Sequence, residues 1–164
     1  MFTAVKHSKG TAWGGLLVTQ RAPLSSVKTH GTGFSIKHEI LGEKKLAAGS
    51  KVTVRLTIVA DRDYDFVKVT DNHAACLEPV RQLSGYEAAR TEGLARGSWS
   101  GYYSESKDRM TNYYFDKMAR GTHIIETEYY VDREGRYQQG VCTVSCAYAP
   151  EFSAMEASKV LEVN

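Results

Sequence analysis

Between Lys51 and Ala60 the chain alternates apolar and polar side chains almost without a break. Val52, Val54, Leu56, Ile58 and Ala60 share one parity, and Thr53, Arg55, Thr57 and Val59 the other. Successive side chains of a strand point to opposite faces, so this segment is expected to be a half-buried β-strand with its first set against a second layer. The pattern recurs along the chain. Strands are expected over residues 2–7, 12–19, 34–40, 66–71, 98–104, 111–116, 122–131, 137–148 (one or two) and 157–163. Turn residues punctuate them at short intervals, which specifies an all-β antiparallel sandwich with an aliphatic interior rather than a βαβ fold. Lys51–Ala60 and 66–71 are expected to pair across the acidic corner Asp61-Arg62-Asp63-Tyr64-Asp65. Residues 21–33 are expected to form a loop, and 74–97 a long connection with a turn or two of helix near 86–90.

At 164 residues the chain fits one domain, able to bury roughly 68–70% of its unfolded surface. Its 21 Lys and Arg against 19 Asp and Glu are interspersed along the sequence, giving a net charge of +2. That is not the clustered basic footprint of a nucleic-acid binder. No run of about 18 apolar residues is available to span a membrane, and no secretory leader is recognisable. The opening Met1-Phe2-Thr3-Ala4-Val5 runs straight into strand-like sequence, as expected of a piece of a longer polypeptide. Three cysteines, Cys76, Cys142 and Cys146, allow at most one internal bridge. In an extended strand Cys142 and Cys146 would stand about 13 Å apart, too far to join, so buried free thiols are expected.

No catalytic or metal-binding constellation emerges. The five histidines, His7, His30, His38, His73 and His123, are scattered and are expected at the surface or in capping positions. Asp61, Asp63 and Asp65 have the opening rhythm of a calcium loop, but the sixth and twelfth positions hold Phe66 and Asn72 instead of Gly and Glu. A solvated turn is expected there. There is no Gly-x-Ser-x-Gly elbow, and Glu126 and Glu128, two apart on one strand face, are expected to be solvent-facing rather than a glycosidase pair. The doublets Tyr102-Tyr103, Tyr113-Tyr114 and Tyr129-Tyr130 carry more information. Adjacent strand residues face opposite ways, so one ring of each doublet must lie outside the core, as a docking face or as cross-strand pairs that steady the sheet.

From Thr11-Ala12-Trp13-Gly14-Gly15-Leu16 onward the chain resembles the C-terminal macroglobulin-like domain of bacterial alpha-2-macroglobulin proteins, especially those of Bacteroides-type organisms. The resemblance is carried by Asp61-Arg62-Asp63-Tyr64-Asp65-Phe66-Val67, Cys76-Leu77-Glu78-Pro79-Val80, Leu83-Ser84-Gly85-Tyr86 and Tyr103-Ser104-Glu105-Ser106-Lys107-Asp108. Thr111-Asn112-Tyr113-Tyr114-Phe115-Asp116, Arg120-Gly121-Thr122 and Cys146-Ala147-Tyr148-Ala149-Pro150-Glu151-Phe152 continue it. It implies a fibronectin-III-like β-sandwich over 1–164, with 1–20 leading in from a preceding helical domain. The whole protein would be a periplasmic or extracytoplasmic protease trap, anchored to the membrane elsewhere, in which this domain packs against a thioester-type helical domain. Its partners would be the rest of its own polypeptide and, through the full protein, target proteases, with no nucleic acid, membrane contact or cofactor. Cys76-Leu77-Glu78-Pro79 imitates a thioester motif, but Pro79 stands where the bond needs Gln, so Cys76 is expected to be a packed thiol. Contact with the neighbouring domain is expected at Trp13, Tyr86, Tyr102, Tyr103 and Tyr148, with Tyr148 or Tyr86 as a candidate aromatic lid. The competing reading is a carbohydrate-binding module that stacks sugars on Trp99, Tyr102 and Tyr103.

Overall fold

The structure is a computed structural model and describes residues 3–16, 18–19, 21–42, 46–93 and 100–164. Within them lie strands β1 (His30–Thr32), β2 (Phe34–Leu41), β3 (Lys51–Ala60), β4 (Tyr64–Asp71), β5 (Leu77–Pro79), β6 (Gly85–Ala88) and β7 (Arg90–Glu92). They continue with β8 (Gly101–Lys107), β9 (Met110–Met118), β10 (Gly121–Val131), β11 (Gly135–Gln138), β12 (Cys142–Cys146), β13 (Ser153–Glu156) and β14 (Val160–Val163). A seven-stranded sheet runs β1-β13-β12-β4-β9-β8-β6 and a second runs β2-β3-β10-β5, with β7 also on β10 and β11 paired with β14. All these strand pairs are antiparallel. The fold is the expected all-β antiparallel sandwich.

β3 has the expected bounds, and its alternation does what it promised. Val54, Leu56, Ile58 and Ala60 are buried among Val67, Val69, Phe115 and Val144 of the opposite sheet, each large aliphatic side chain contributing about 1.5–3 kcal/mol. Its pairing differs from expectation. β3 joins β2 and β10, whereas β4 joins β9 and β12, so residues 61–63 carry the chain from one sheet to the other rather than round a hairpin. The chain also switches sheets at Gly33, between β1 and β2, and at Ala119-Arg120, between β9 and β10. These crossings are tied together: the Asp61 N–H donates to the Gly33 carbonyl at 3.0 Å, and the Arg120 N–H donates to Asp63 Oδ1 at 2.7 Å. The acidic corner that imitates a calcium loop is therefore a clamp. Gly33 is required there, with φ +76° and a Cβ that would meet the Tyr64 hydroxyl at 2.1 Å.

Other expectations need correction. Residues 3–16 form no strand, and neither do 18–19. The Gly14-Gly15 pair weakens the segment, and a strand unpaired with any sheet has nothing to receive its backbone hydrogen bonds. Residues 21–33 contain a 3-10 turn, Leu24–Ser26, and strand β1. The long connection at 74–97 holds β5, β6 and β7 instead of helix. β13 was not anticipated either. The cysteines are buried and free, as expected.

Nor is the interior wholly aliphatic. His38, His73 and His123 are buried rather than at the surface, together with Asp71 and Glu156. His38 Nε2 lies 3.4 Å from Asp71 Oδ1, and the Tyr129 hydroxyl donates to Asp71 Oδ2 at 3.4 Å. Burial pushes the Asp71 carboxyl up to about 7 and, with the nearby Lys159 charge, pulls His38 down to about 4. Between about pH 4 and 7 Asp71 is thus a neutral acid facing a neutral imidazole. One proton on Oδ1 gives both atoms the partner they otherwise lack. Because His38 and Tyr129 belong to one sheet and Asp71 to the other, this polar contact joins the layers. Beside it, Glu156 accepts the His38 backbone N–H, and the Lys159 ammonium reaches Glu156 Oε1 at 2.6 Å and the His38 carbonyl at 2.8 Å.

Candidate docking surface

The tyrosine doublets split as strand geometry requires. Tyr102, Tyr113 and Tyr129 are buried, while Tyr103, Tyr114 and Tyr130 are exposed. The Tyr102 hydroxyl donates to Glu87 at 3.0 Å, and the Tyr113 hydroxyl lies 3.0 Å from Thr127 Oγ1, burial raising both phenols above their ordinary range. On the outer face of the seven-stranded sheet, Tyr86, Tyr103, Tyr114 and Lys68 stand in register across β6, β8, β9 and β4. Tyr86 and Tyr103 meet with ring centroids 5.1 Å apart, and the Lys68 ammonium sits 5.6 Å from the Tyr114 centroid. Tyr114 donates its hydroxyl to Glu105 at 3.0 Å.

Phe66 extends this row. Its φ is +54°, a left-handed conformation that costs a side-chain-bearing residue about 1–2 kcal/mol. Across it the alternation of β4 inverts, so that Tyr64 and Val67, three residues apart, both face the core. Tyr64 packs there on Phe34 at 4.2 Å. The Phe66 ring is turned outward, 52% exposed, and meets Tyr148 edge-on at 5.3 Å. Tyr148 stands just beyond β12 and is 84% exposed; Tyr86 at the other end is 85% exposed. One exposed ring from each of β6, β8, β9 and β4, with Tyr148 beyond β12, thus lines five neighbouring strands. Solitary exposed apolar residues are ordinary; here two touching ring pairs, Tyr86–Tyr103 and Phe66–Tyr148, flank Tyr114 and Lys68 on one face, which makes the row a candidate interaction surface.

Three of the five expected contact residues, Tyr86, Tyr103 and Tyr148, lie on this band. Tyr102 is buried and offers no ring to a partner, which also removes it from the proposed sugar platform; Trp99 lies outside the described residues. Trp13 belongs to the strandless segment and is 94% exposed. Phe66 and Tyr114 were not singled out as contact residues. Tyr114 was legible from its doublet, whereas no local signal marks Phe66. Glu126 is held by Arg55 at 2.7 Å, and among the described residues no group of three His, Cys, Asp or Glu side chains is arranged to hold a metal ion. Cys76 is buried and its thiol raised by burial.

The model of the bacterial alpha-2-macroglobulin MG10 domain family matches residues 16–151. The chain belongs to that family. Among solved structures, this MG10 domain is similar to Salmonella alpha-2-macroglobulin reacted with methylamine, with TM-score 0.66 and 24% identity over 87% of this chain and 10% of that one. Native Escherichia coli alpha-2-macroglobulin from domain MG7 to the C-terminus matches at TM-score 0.63 and 20% identity, over 87% of this chain and 25% of that one. The E. coli protein activated by porcine elastase matches at TM-score 0.68 and 18% identity, over 87% and 14%. At these identities the solved structures establish the shared fold. The chain spans about a tenth of the length of the Salmonella protein. No curated protein matches it.

Proposed function

We propose that this MG10 domain is a non-catalytic docking module of a large alpha-2-macroglobulin-type protease trap, and that its aromatic band rests against a helical, thioester-type domain of the same polypeptide. The observation that carries this reading is the row of exposed rings itself, one on each of four neighbouring strands and a fifth just beyond β12, all on one face of the sheet. Family membership supplies the context, since the match to the Salmonella protein is to a small part of a much longer chain. The E. coli relatives were studied after activation by trypsin and by elastase, which supports protease as the whole protein's target. Such a protein would work outside the cytoplasm, in the periplasm and tethered through another part. Residues 3–16, exposed and unpaired here, would be covered at the junction with the preceding domain. Interfaces of this kind bury about 600–1,500 Å².

The test uses the parent polypeptide carrying Phe66→Ala together with Tyr148→Ala. Small-angle scattering should show the domain swinging free, with a larger radius of gyration than wild type and an unchanged circular-dichroism spectrum. A radius identical to wild type in the double variant, and in a Tyr86→Ala, Tyr103→Ala variant, would refute the band as the docking face.

A further inference from the structure

Toward its β6 end the band contains a hollow of about 240 Å³ lined by Tyr86, Gly101, Tyr103, Tyr114 and Asp116. Its origin is local. Gly101 faces Ala88 across the β6–β8 ladder, and continuing the β8–β9 register past Tyr103 and Tyr114 places it beside Asp116. With no side chain at Gly101 and a methyl at Ala88, the large rings stand around a gap. The hollow falls short of the roughly 300–1,000 Å³ of small-molecule sites and suits a single side chain.

Its electrostatics are one-sided. Tyrosine faces carry the negative lobe of the ring quadrupole, and the Tyr114 hydroxyl donates to the Glu105 carboxylate, which leaves its ring more electron-rich. Asp116 is exposed and, among the described residues, makes no ion pair. Among the described residues, no basic side chain lines the hollow. The cation on the band, Lys68, comes from β4, on the side of Tyr114 away from Tyr103. Glu87 and Tyr102, which also line the hollow, are already engaged with each other, and Glu87 with Arg81 at 2.7 Å.

We propose that this hollow seats an arginine side chain of the partner surface, its guanidinium stacked on the tyrosine rings and paired with the Asp116 carboxylate. The inference rests on the docking reading above and names the chemistry that the partner must present. A guanidinium is planar and weakly hydrated, stacks on aromatic faces and offers a fork of donors that matches a carboxylate; an ammonium lacks the plane and the fork. A sugar is a poorer match, because the Tyr86 and Tyr103 rings are inclined at 65° and make no flat platform.

The test is an amide-resolved NMR titration of the 164-residue chain with N-acetyl-arginine amide, using the citrulline amide as the uncharged analogue of the same shape. Arginine should shift Gly101, Tyr103, Tyr114 and Asp116 saturably, with citrulline weaker by roughly fivefold or more. Asp116→Asn should bring arginine down to the citrulline level, and Tyr86→Ala should weaken both ligands. Equal shifts from the two ligands, shifts scattered over the surface, or a cello-oligosaccharide that moves these resonances where arginine does not, would each overturn the proposal. The two readings fail separately. An arginine-blind hollow leaves the scattering result intact, and a domain that docks elsewhere leaves the titration intact.

Discussion

Substituting Asp71 by Asn tests the buried proton between the sheets. Burial raises the folded-state carboxyl from 3.8 to about 7, so Asp71 contributes stability that is fully present below about pH 4 and lost as pH rises through 7. At 1.36 kcal/mol per pH unit this amounts to about 4 kcal/mol. His38 runs the other way. Lowered from 6.5 to about 4, it contributes stability that is fully present above 6.5 and lost as pH falls through 4, about 3 kcal/mol. Between pH 4 and 6.5 folding puts a proton on Asp71 and takes one from His38, and the two slopes cancel. Asp71→Asn keeps the shape of the neutral acid and removes one slope. Urea unfolding should then show the stability of the variant rising relative to wild type by about 3 kcal/mol between pH 4 and 6.5. A variant whose profile runs parallel to wild type across that interval would mean that Asp71 is ionised in the fold, and the shared-proton account would fail.

Three further outcomes follow from the packing. Phe66→Gly should be more stable than Phe66→Ala by about 1 kcal/mol in urea unfolding, because both lose the contact with Tyr148 but only glycine relieves the left-handed backbone at +54°; the reverse order would refute the strain. Gly33→Ala should destabilise by about 3 kcal/mol or more, since its Cβ would collide with the Tyr64 hydroxyl at 2.1 Å, and a melting temperature within a degree of wild type would contradict the corner geometry. The thiols of Cys76, Cys142 and Cys146, all buried and raised by burial, should resist a chromogenic disulfide reagent in the native state and react fully in urea; rapid native reaction of any of them would place it at the surface.

How far the sequence could be read depends on whether a signal was local. The parity of Lys51–Ala60 separates its inward from its outward members, and the tyrosine doublets show that one ring of each must face out, because a two-residue period needs no partner to be seen; which ring of a doublet is the outer one depends on the sheet, and Tyr102 is the inner one. The same rule, applied further, finds the interior polar pair. His38 shares its parity with Phe34 and Ile36, and Asp71 with Val67 and Val69, so both belong to apolar faces where a polar residue has to be satisfied. The partition into sheets was not legible. Whether residues 61–63 turn a hairpin or cross between layers depends on hydrogen bonds to Gly33 and Arg120, far away in sequence. Residues 3–16 have strand-like composition but no edge to join. Phe66 was hidden for a related reason: its conformation is set by the need to bring both Tyr64 and Val67 into the core, which is a demand of the tertiary structure.

The order of the seven-stranded sheet has a bearing on biosynthesis. β4 lies between β9 and β12, and β13 separates β12 from β1, so β4 lacks its second neighbour until residues up to 146 have left the ribosome, and β1 lacks its partner until residue 156. Until then the bare flanks of β4 are open to wrong pairing, and nascent-chain chaperones that shield strand edges should matter more here than for a meander of the same size.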